Sequence, residues 1–211
     1  MTPLSDRRGC LIAFEGIEGA GKSTQLHLVA GALRRRAWSV VETREPGGTA
    51  LGSEIRRLVM HTEESTPVPL TELLLYLADR AQHLAEVIEP ALVRGDVVLT
   101  DRFSASTIAY QGYARGLDVE VVTQLDGIVR NGIAPALTVV FDCPVEMGLR
   151  RARGDDRFHR EERDFHDRVR TAFLSFARAD PDRYYVVDAS ASPDTVTHDA
   201  LAGVLQCLNR L

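Results

Sequence analysis

Five short apolar runs punctuate the chain, and the segments between them carry apolar residues at three- and four-residue spacing. Leu11 to Phe14, Trp38 to Thr43, Val97 to Thr100, Leu137 to Phe141 and Tyr184 to Val187 read as strands. Leu26, Val29, Ala30 and Leu33 mark a first helix, and Leu51, Ile55, Leu58 and Val59 a short second one. A long helix is expected from about Thr71, with Leu74, Leu77, Ala78, Ala81, Ala85 and Ile88 as its buried stripe. Leu73, Leu75 and Leu84 widen that apolar surface, Pro90 kinks the helix or starts a new turn, and Gly95 ends it. Ser104 to Tyr110 opens a further helix, Gln111 to Gly116 reads as a glycine-containing loop, and Val119 to Val129 is helical again. Pro144 suits the first turn of a helix running through Leu149. Phe165, Val169, Ala172, Phe173 and Phe176 give an amphipathic helix, and a last one follows Ser192-Pro193 with Val196, Leu201, Val204, Leu205 and Leu208.

Strand and helix alternate throughout, which predicts an α/β fold with a five-stranded parallel sheet flanked by helices on both faces. Ligands then bind beyond the carboxyl ends of the strands. Glu15, Arg44, Asp101, Asp142 and Asp188 lie at such ends. No linker, repeat or low-complexity stretch divides residues 1–211, so one domain is expected.

Composition narrows the partners. Lys and Arg number 25 against 30 Asp and Glu, a formal net charge of −5, which is poorly suited to wrapping nucleic acid. Cys10, Cys143 and Cys207 are odd in number and far apart, as free thiols in a reducing cytosol are, and no Cys or His spacing suggests zinc. No apolar run is long enough to span a bilayer and the first nine residues carry no apolar leader, so a cytoplasmic location with no membrane partner is expected.

The most specific chemistry lies directly after the first strand. Gly16-Ile17-Glu18-Gly19-Ala20-Gly21-Lys22-Ser23 fits G-x-x-x-x-G-K-[ST], with a strand before it and a helix after it. Glycines let successive N–H groups curl inward around an anion, and the helix N-terminus adds its positive end. Lys22 can reach β- and γ-phosphates and the Ser23 hydroxyl can hold Mg²⁺. ATP or a similar triphosphate, with magnesium, is the first expected ligand.

The arginines address the acceptor. A phosphate monoester is largely a dianion at neutral pH, so no protein base is needed to activate it. The obstacle is repulsion between two polyanions, which guanidinium groups and a metal reduce. Arg44, Arg56, Arg80 and Arg102 sit on elements converging at strand ends, and Arg150, Arg151, Arg153, Arg157 and Arg160 crowd a charged stretch around Gly154. That stretch, about 150–163, is either a solvated helix face or a lid that keeps water from the transferring group. Asp101 is expected near Mg²⁺, with Asp142 competing for the role and a strand-end cap as the plain alternative for each. The six histidines show no ligand spacing, so each is expected at the surface or capping a helix.

Several blocks together resemble bacterial thymidylate kinases. They are Phe14 to Gln25 across the glycine loop, Thr43-Arg44-Glu45-Pro46-Gly47-Gly48-Thr49, Ala78-Asp79-Arg80-Ala81-Gln82-His83, Asp101-Arg102-Phe103 with Ser106, Ala109-Tyr110-Gln111-Gly112, and Asp156-Arg157-Phe158. The resemblance covers most of the chain and implies the P-loop nucleotide kinase fold, the conversion of dTMP and ATP to dTDP and ADP with Mg²⁺, and a homodimer. It implies nucleotide contacts from residues 16–24, Thr24 included, and acceptor contacts from Arg44, Pro46, Arg56 and Ser106. By the same analogy Glu18 lies near the sugar 3′-hydroxyl, Arg102 at the acceptor phosphate and Arg80 at the thymine O4. Tyr76 stacks on the base in place of the usual Phe, Thr107 and Gln111 line the base pocket, and Tyr110 occupies the space of a ribose 2′-hydroxyl. Glu45-Pro46 matches a loop that often holds a cis bond. Ala20 stands where some members carry a P-loop arginine; those without it use lid arginines, here Arg153 and Arg157. His159 departs from the Glu that commonly follows Asp-Arg-Phe. The competing readings are another nucleotide kinase and a P-loop switch, although the guanine-reading Asn-Lys-x-Asp is absent.

Overall fold

A computed structural model describes residues 9–60, 66–152 and 161–210. Five parallel strands form one sheet in the order β2-β3-β1-β4-β5, with β1 Cys10–Glu15, β2 Val40–Arg44, β3 Val97–Asp101, β4 Leu137–Asp142 and β5 Tyr184–Asp188. The register places Ile12 of β1 opposite Leu99 on one side and Leu137 on the other. A parallel strand at the centre of such a sheet is covered on both faces, which is why β1, β3 and β4 read as unbroken apolar runs. Cys10, Ile12 and Phe14 point into one layer, whose helical side includes α1 Lys22–Arg34, α8 Arg163–Ala179 and α9 Pro193–Leu208. Leu11 and Ala13 point into the opposite layer, against Leu84, Ile88, Ala91 and Phe103. The remaining helices are α2 Ala50–Met60, α3 Pro69–His83, α4 Glu89–Val93, α5 Ser104–Thr107, α6 Val119–Arg130 and α7 Val145–Arg151.

Because all five strands run the same way, Glu15, Arg44, Asp101, Asp142 and Asp188 end at one edge of the sheet. β1 has β3 and β4 as neighbours, so the loop after it lies between the ends of both. Chain order alone does not show that adjacency.

Two segments differ from the sequence reading. The long helix begins at Pro69, two residues before Thr71, and of the expected stripe only Leu77 and Ile88 are buried. Leu74, Ala78, Ala81 and Ala85 are exposed, whereas Glu72, Leu73, Leu77, Asp79, Arg80 and His83 are buried. Ion pairs and hydrogen bonds to other elements compensate several of these polar groups, so the buried side of α3 can carry polar residues beside Leu73 and Leu77 while Leu74 and the alanines face outward. Leu84–Ile88 then forms a π-helical turn before α4, which carries Pro90 in its first turn. The second difference is Gln111 to Ala114, which continues α5 as part of a π-helical stretch, Ile108–Ala114, rather than forming a loop. Gly112 is explained by packing: a Cβ there would lie 3.1 Å from the Val119 side chain.

Candidate active site

The loop 16–21 hangs between β1 and α1 and is seated on α7 by a pair of glycines. A Cβ on Gly19 would meet the Gly148 carbonyl oxygen at 1.9 Å, and a Cβ on Gly148 would meet the Glu18 carbonyl oxygen at 2.5 Å. Only bare backbone allows that approach. Lys22 folds back over the loop, its Nζ donating to the carbonyls of Gly16 (3.0 Å) and Ile17 (2.8 Å). Burial, aided by the charge of Arg102, lowers the Lys22 ammonium to about pKa 8, against the pull of Asp101, Glu18 and Glu15. Ser23 donates its hydroxyl hydrogen to the Asp101 carboxylate. The other acidic candidate, Asp142, is held by both arms of Arg170, at 2.6 and 2.9 Å.

A cleft of about 750 Å³ opens in front of this loop, bordered by Gly19 to Gln25, Arg44, Arg56, Asp101, Arg102 and Arg151. A narrower pocket adjoins it, walled by Pro46, Tyr76, Arg80, Phe103, Ser106, Thr107, Tyr110 and Gln111. Glu18, Glu45, Met60 and Arg102 belong to both. The fold thus sets a wide polar space and a narrow aromatic one end to end.

Arg102 stands at their junction in a left-handed backbone conformation, φ 73°, rare for a side chain of this size. Its backbone N–H is fixed to the Phe14 carbonyl at 3.0 Å, which turns the side chain off the end of β3. The guanidinium donates to Ser106 Oγ (2.9 Å), the Gly16 carbonyl (3.3 Å) and Glu18 (2.7 Å), with its carbon 4.9 Å from the Tyr110 ring centre. Tyr110 donates its hydroxyl to both Glu18 oxygens, at 2.8 and 2.7 Å. Burial alone would raise the Glu18 carboxyl, but Arg102, His166, Lys22 and Tyr110 outweigh it and hold the group well below the usual carboxylate range.

Sequence reasoning placed Glu15 at a strand end but gave it no role. It is fully buried and accepts from the backbone N–H of Phe103 (2.8 Å) and Ser106 (3.1 Å) and from the Ser106 hydroxyl. Ser106 passes that restraint to Arg102, so Glu15 fixes the turn that carries the guanidinium. The available signal was a lone carboxylate closing an apolar strand. Glu45 is a second carboxylate given no role. It bridges His83 Nδ1 (2.9 Å) and Arg80 (2.8 Å), and Arg80 is also paired with Asp126. Arg80, only 2 % exposed, therefore borders the narrow pocket with much of its hydrogen-bonding capacity committed. Gln111 is oriented by a hydrogen bond to Glu72 at 2.8 Å, and Arg56 braces the loop through the Pro46 carbonyl at 3.0 Å. The Glu45–Pro46 bond is cis.

The histidine expectation is corrected at two positions. His83 and His166 are fully buried, not surface or capping residues. His83 is buried because the loop before α2 closes over it: Thr43 lies 2.6 Å from its Nε2 and a Cβ on Gly48 would touch its ring. Arg153 and Arg157 lie outside the described residues, as does most of the expected lid. Arg150 and Arg151, in the last turn of α7, are described, and Arg151 donates to the Ala189 carbonyl at 2.8 Å.

A family model described as thymidylate kinase matches residues 14–200. Among curated proteins, the thymidylate kinase of Pseudomonas fluorescens is 51 % identical over 203 residues, covering 95 % of this chain and 96 % of that one. The thymidylate kinase of Geobacter sulfurreducens is 47 % identical over 212 residues, covering 96 % and 98 %. Among solved structures, thymidylate kinase from Ehrlichia chaffeensis superposes with a TM-score of 0.76 at 35 % identity, covering 94 % of this chain and 99 % of that one.

Proposed function

The chain belongs to the thymidylate kinase family, and from that premise we propose how its cleft transfers the γ-phosphoryl group of ATP to dTMP, giving dTDP and ADP. The observation that carries the reading is the junction itself: a P-loop cleft and an aromatic pocket meet at Glu18 and Arg102. In this reading residues 16–24 hold the triphosphate and Lys22 neutralises charge on the transferring group. Arg102, with Arg44 and Arg56 nearby, receives the 5′-phosphate of dTMP. Tyr76, Arg80, Thr107 and Gln111 receive the base, with Pro46 and Ser106 beside it, and Glu18 and Tyr110 flank the sugar. The acceptor arrives already ionised, so positioning and charge stabilisation suffice. Arg153 and Arg157 are assigned to the triphosphate because the P-loop carries Ala20 and no arginine.

The donor set at the loop fits magnesium. Ser23 Oγ and the Asp101 carboxylate are adjacent hard oxygen groups, and among the described residues no cluster of three or more His, Cys, Asp and Glu competes with them. Ser23 and Asp101 would hold Mg²⁺ there, and the ion would supply positive charge to offset the charge of the nucleotide phosphates. Residues 1–211 are read as one catalytic domain. No helix among the described residues is long and apolar enough to cross a membrane.

The test is an acceptor panel of dTMP, dUMP, dCMP, dAMP, dGMP and thymidine, assayed with ATP and Mg²⁺. dTMP is expected to have the highest kcat/KM; a better acceptor among the others would overturn the assignment.

Tyr110 yields a prediction with two separable parts. Tyr110→Ala opens the space beside the sugar and is expected to reduce the preference for deoxyribose at least about tenfold, roughly the value of a filled steric contact. Tyr110→Phe keeps the ring but frees Glu18 of its two donated contacts, so dTMP KM rises while sugar preference stays. Competition between dTMP and its ribonucleotide counterpart reads the sugar preference of both variants and steady-state kinetics the dTMP KM; unchanged preference in the alanine variant would remove Tyr110 from the sugar.

The homodimer reading draws support from the outward apolar side of α3. Leu70 and Leu74 are 51 % and 50 % exposed, and Ala78, Ala81 and Ala85 continue outward along the same helix and the turn after it. A second copy is the occupant proposed for this face. Leu74→Glu is expected to convert the wild-type dimer into a monomer by light scattering. A monomeric wild type, or an intact dimer in the variant, would refute the interface.

A further inference from the structure

His166 has no part in the scheme above, yet it is built into the site. It lies in the first turn of α8, fully buried, and among the described residues neither ring nitrogen has a hydrogen-bond partner of ordinary geometry. Leaving a buried imidazole in that condition is unfavourable, and a core that needed only volume would be better filled by Leu or Phe. Its Nδ1 lies 3.5 Å from Glu18 Oε2, at the outer limit of a hydrogen bond. The Phe165 ring stands edge-on to the imidazole at 5.5 Å, and Arg115 covers Phe165 at 4.7 Å.

The Glu18 carboxylate gives this near-contact a use. Tyr110 donates to both oxygens and Arg102 to Oε1, so His166 faces the oxygen that Arg102 does not hold. An acceptor phosphate competes for the same guanidinium. As Arg102 turns toward it, Glu18 loses its nearest cation while its side chain is only 14 % exposed. A largely dehydrated carboxylate then needs a replacement donor.

We propose that His166 is a positioning residue: its Nδ1–H closes onto Glu18 Oε2 as the acceptor nucleotide enters, holding the carboxylate toward the sugar while Arg102 engages the phosphate. The proposal rests on the reading of Glu18 as sugar-facing. It also gives the first turn of α8 a contact with Glu18 of the P-loop.

The experiment is a double-mutant cycle on the full chain. His166→Leu is expected to raise dTMP KM about tenfold, the loss of a hydrogen bond to a charged group, with ATP KM changed less than about twofold. His166→Asn, whose amide can occupy the Nδ1 position, restores most of that loss. In a Glu18→Gln background His166→Leu adds less than about twofold, since the charged partner is already gone. A ¹⁵N spectrum of the wild type is expected to show an Nδ1-protonated His166 signal that moves on adding dTMP and not on adding an ATP analogue. The proposal is overturned by equal increases in both KM values, by Asn performing no better than Leu, by an undiminished penalty in the Glu18→Gln background, or by an imidazole signal indifferent to dTMP. Should the panel find another preferred acceptor, the dTMP reading fails; the same cycle run with that acceptor still tests His166 by itself.

Discussion

Lys22→Ala is expected to lower kcat about a hundredfold or more, the usual consequence of removing a preorganised charge from a transferring group. The buried ammonium is anchored to the Gly16 and Ile17 carbonyls, so it is aimed before any nucleotide arrives and little reorganisation is required during transfer. The alanine variant keeps the loop's backbone N–H groups. ATP binding is therefore expected to weaken less than turnover falls, a split that marks transition-state stabilisation. Near-normal kcat would remove Lys22 from the chemistry. A pH dependence follows from the same burial. With the free-enzyme ammonium lowered to about 8, kcat/KM for ATP should decline as pH rises through that value, because the deprotonated amine no longer attracts phosphate. Bound triphosphate favours the protonated form, so the corresponding break in kcat moves to higher pH. A kcat/KM profile flat from pH 7 to 10 would contradict this role.

What could be read from the sequence was what depends on neighbouring residues. The P-loop is eight consecutive positions whose chemistry comes mainly from backbone and two side chains, so strand, loop and helix were legible together. Apolar runs marked the strands within one or two residues because a doubly covered parallel strand admits few polar side chains. The long helix misled for the complementary reason. Counting apolar residues selected Leu77 and Ile88, which are buried, but also Leu74, Ala78, Ala81 and Ala85, all of which face outward. The side that faces the site carries Arg80, whose partners Glu45 and Asp126 are 35 and 46 positions away. A charge neutralised at that distance looks, in sequence, like a charge exposed to solvent.

The same limit explains the acids and histidines. Asp101 and Asp142 each close an apolar strand, so the preference for Asp101 leaves Asp142 in competition. The fold separates them, one beside Ser23 and the other clasped by Arg170. The role of Glu15 is not legible in sequence because its partners, the backbone of Phe103 and Ser106, belong to a turn that sheet order brings alongside it. His83 and His166 are read as surface or capping residues because an isolated imidazole carries no periodic signal. Only the arrival of Glu45 and Glu18 beside them makes their burial intelligible.

Arg102→Ala should be nearly as damaging as the loss of Lys22, but on the other substrate. Three restraints define the geometry: the Phe14 carbonyl sets the left-handed turn, Glu15 fixes Ser106, and Ser106 with Glu18 orients the guanidinium. A residue held in a sparsely populated conformation by so many contacts is preorganised, and preorganisation is what a dianionic acceptor needs when it is brought against a triphosphate. Removing the guanidinium is expected to raise dTMP KM and also lower kcat, for a combined loss in kcat/KM of about a hundredfold to a thousandfold. ATP KM should change by no more than a few fold. Arg102→Lys separates charge from shape: it restores a cation but not the planar fork, so it should recover only part of the loss. The substitution leaves Glu18 without its cation, so a thermal melt of each variant distinguishes a disturbed fold from a missing contact. An unchanged melting temperature with the dTMP-specific loss supports the assignment. A defect confined to ATP would move Arg102 to the donor side and redraw the junction between the two pockets.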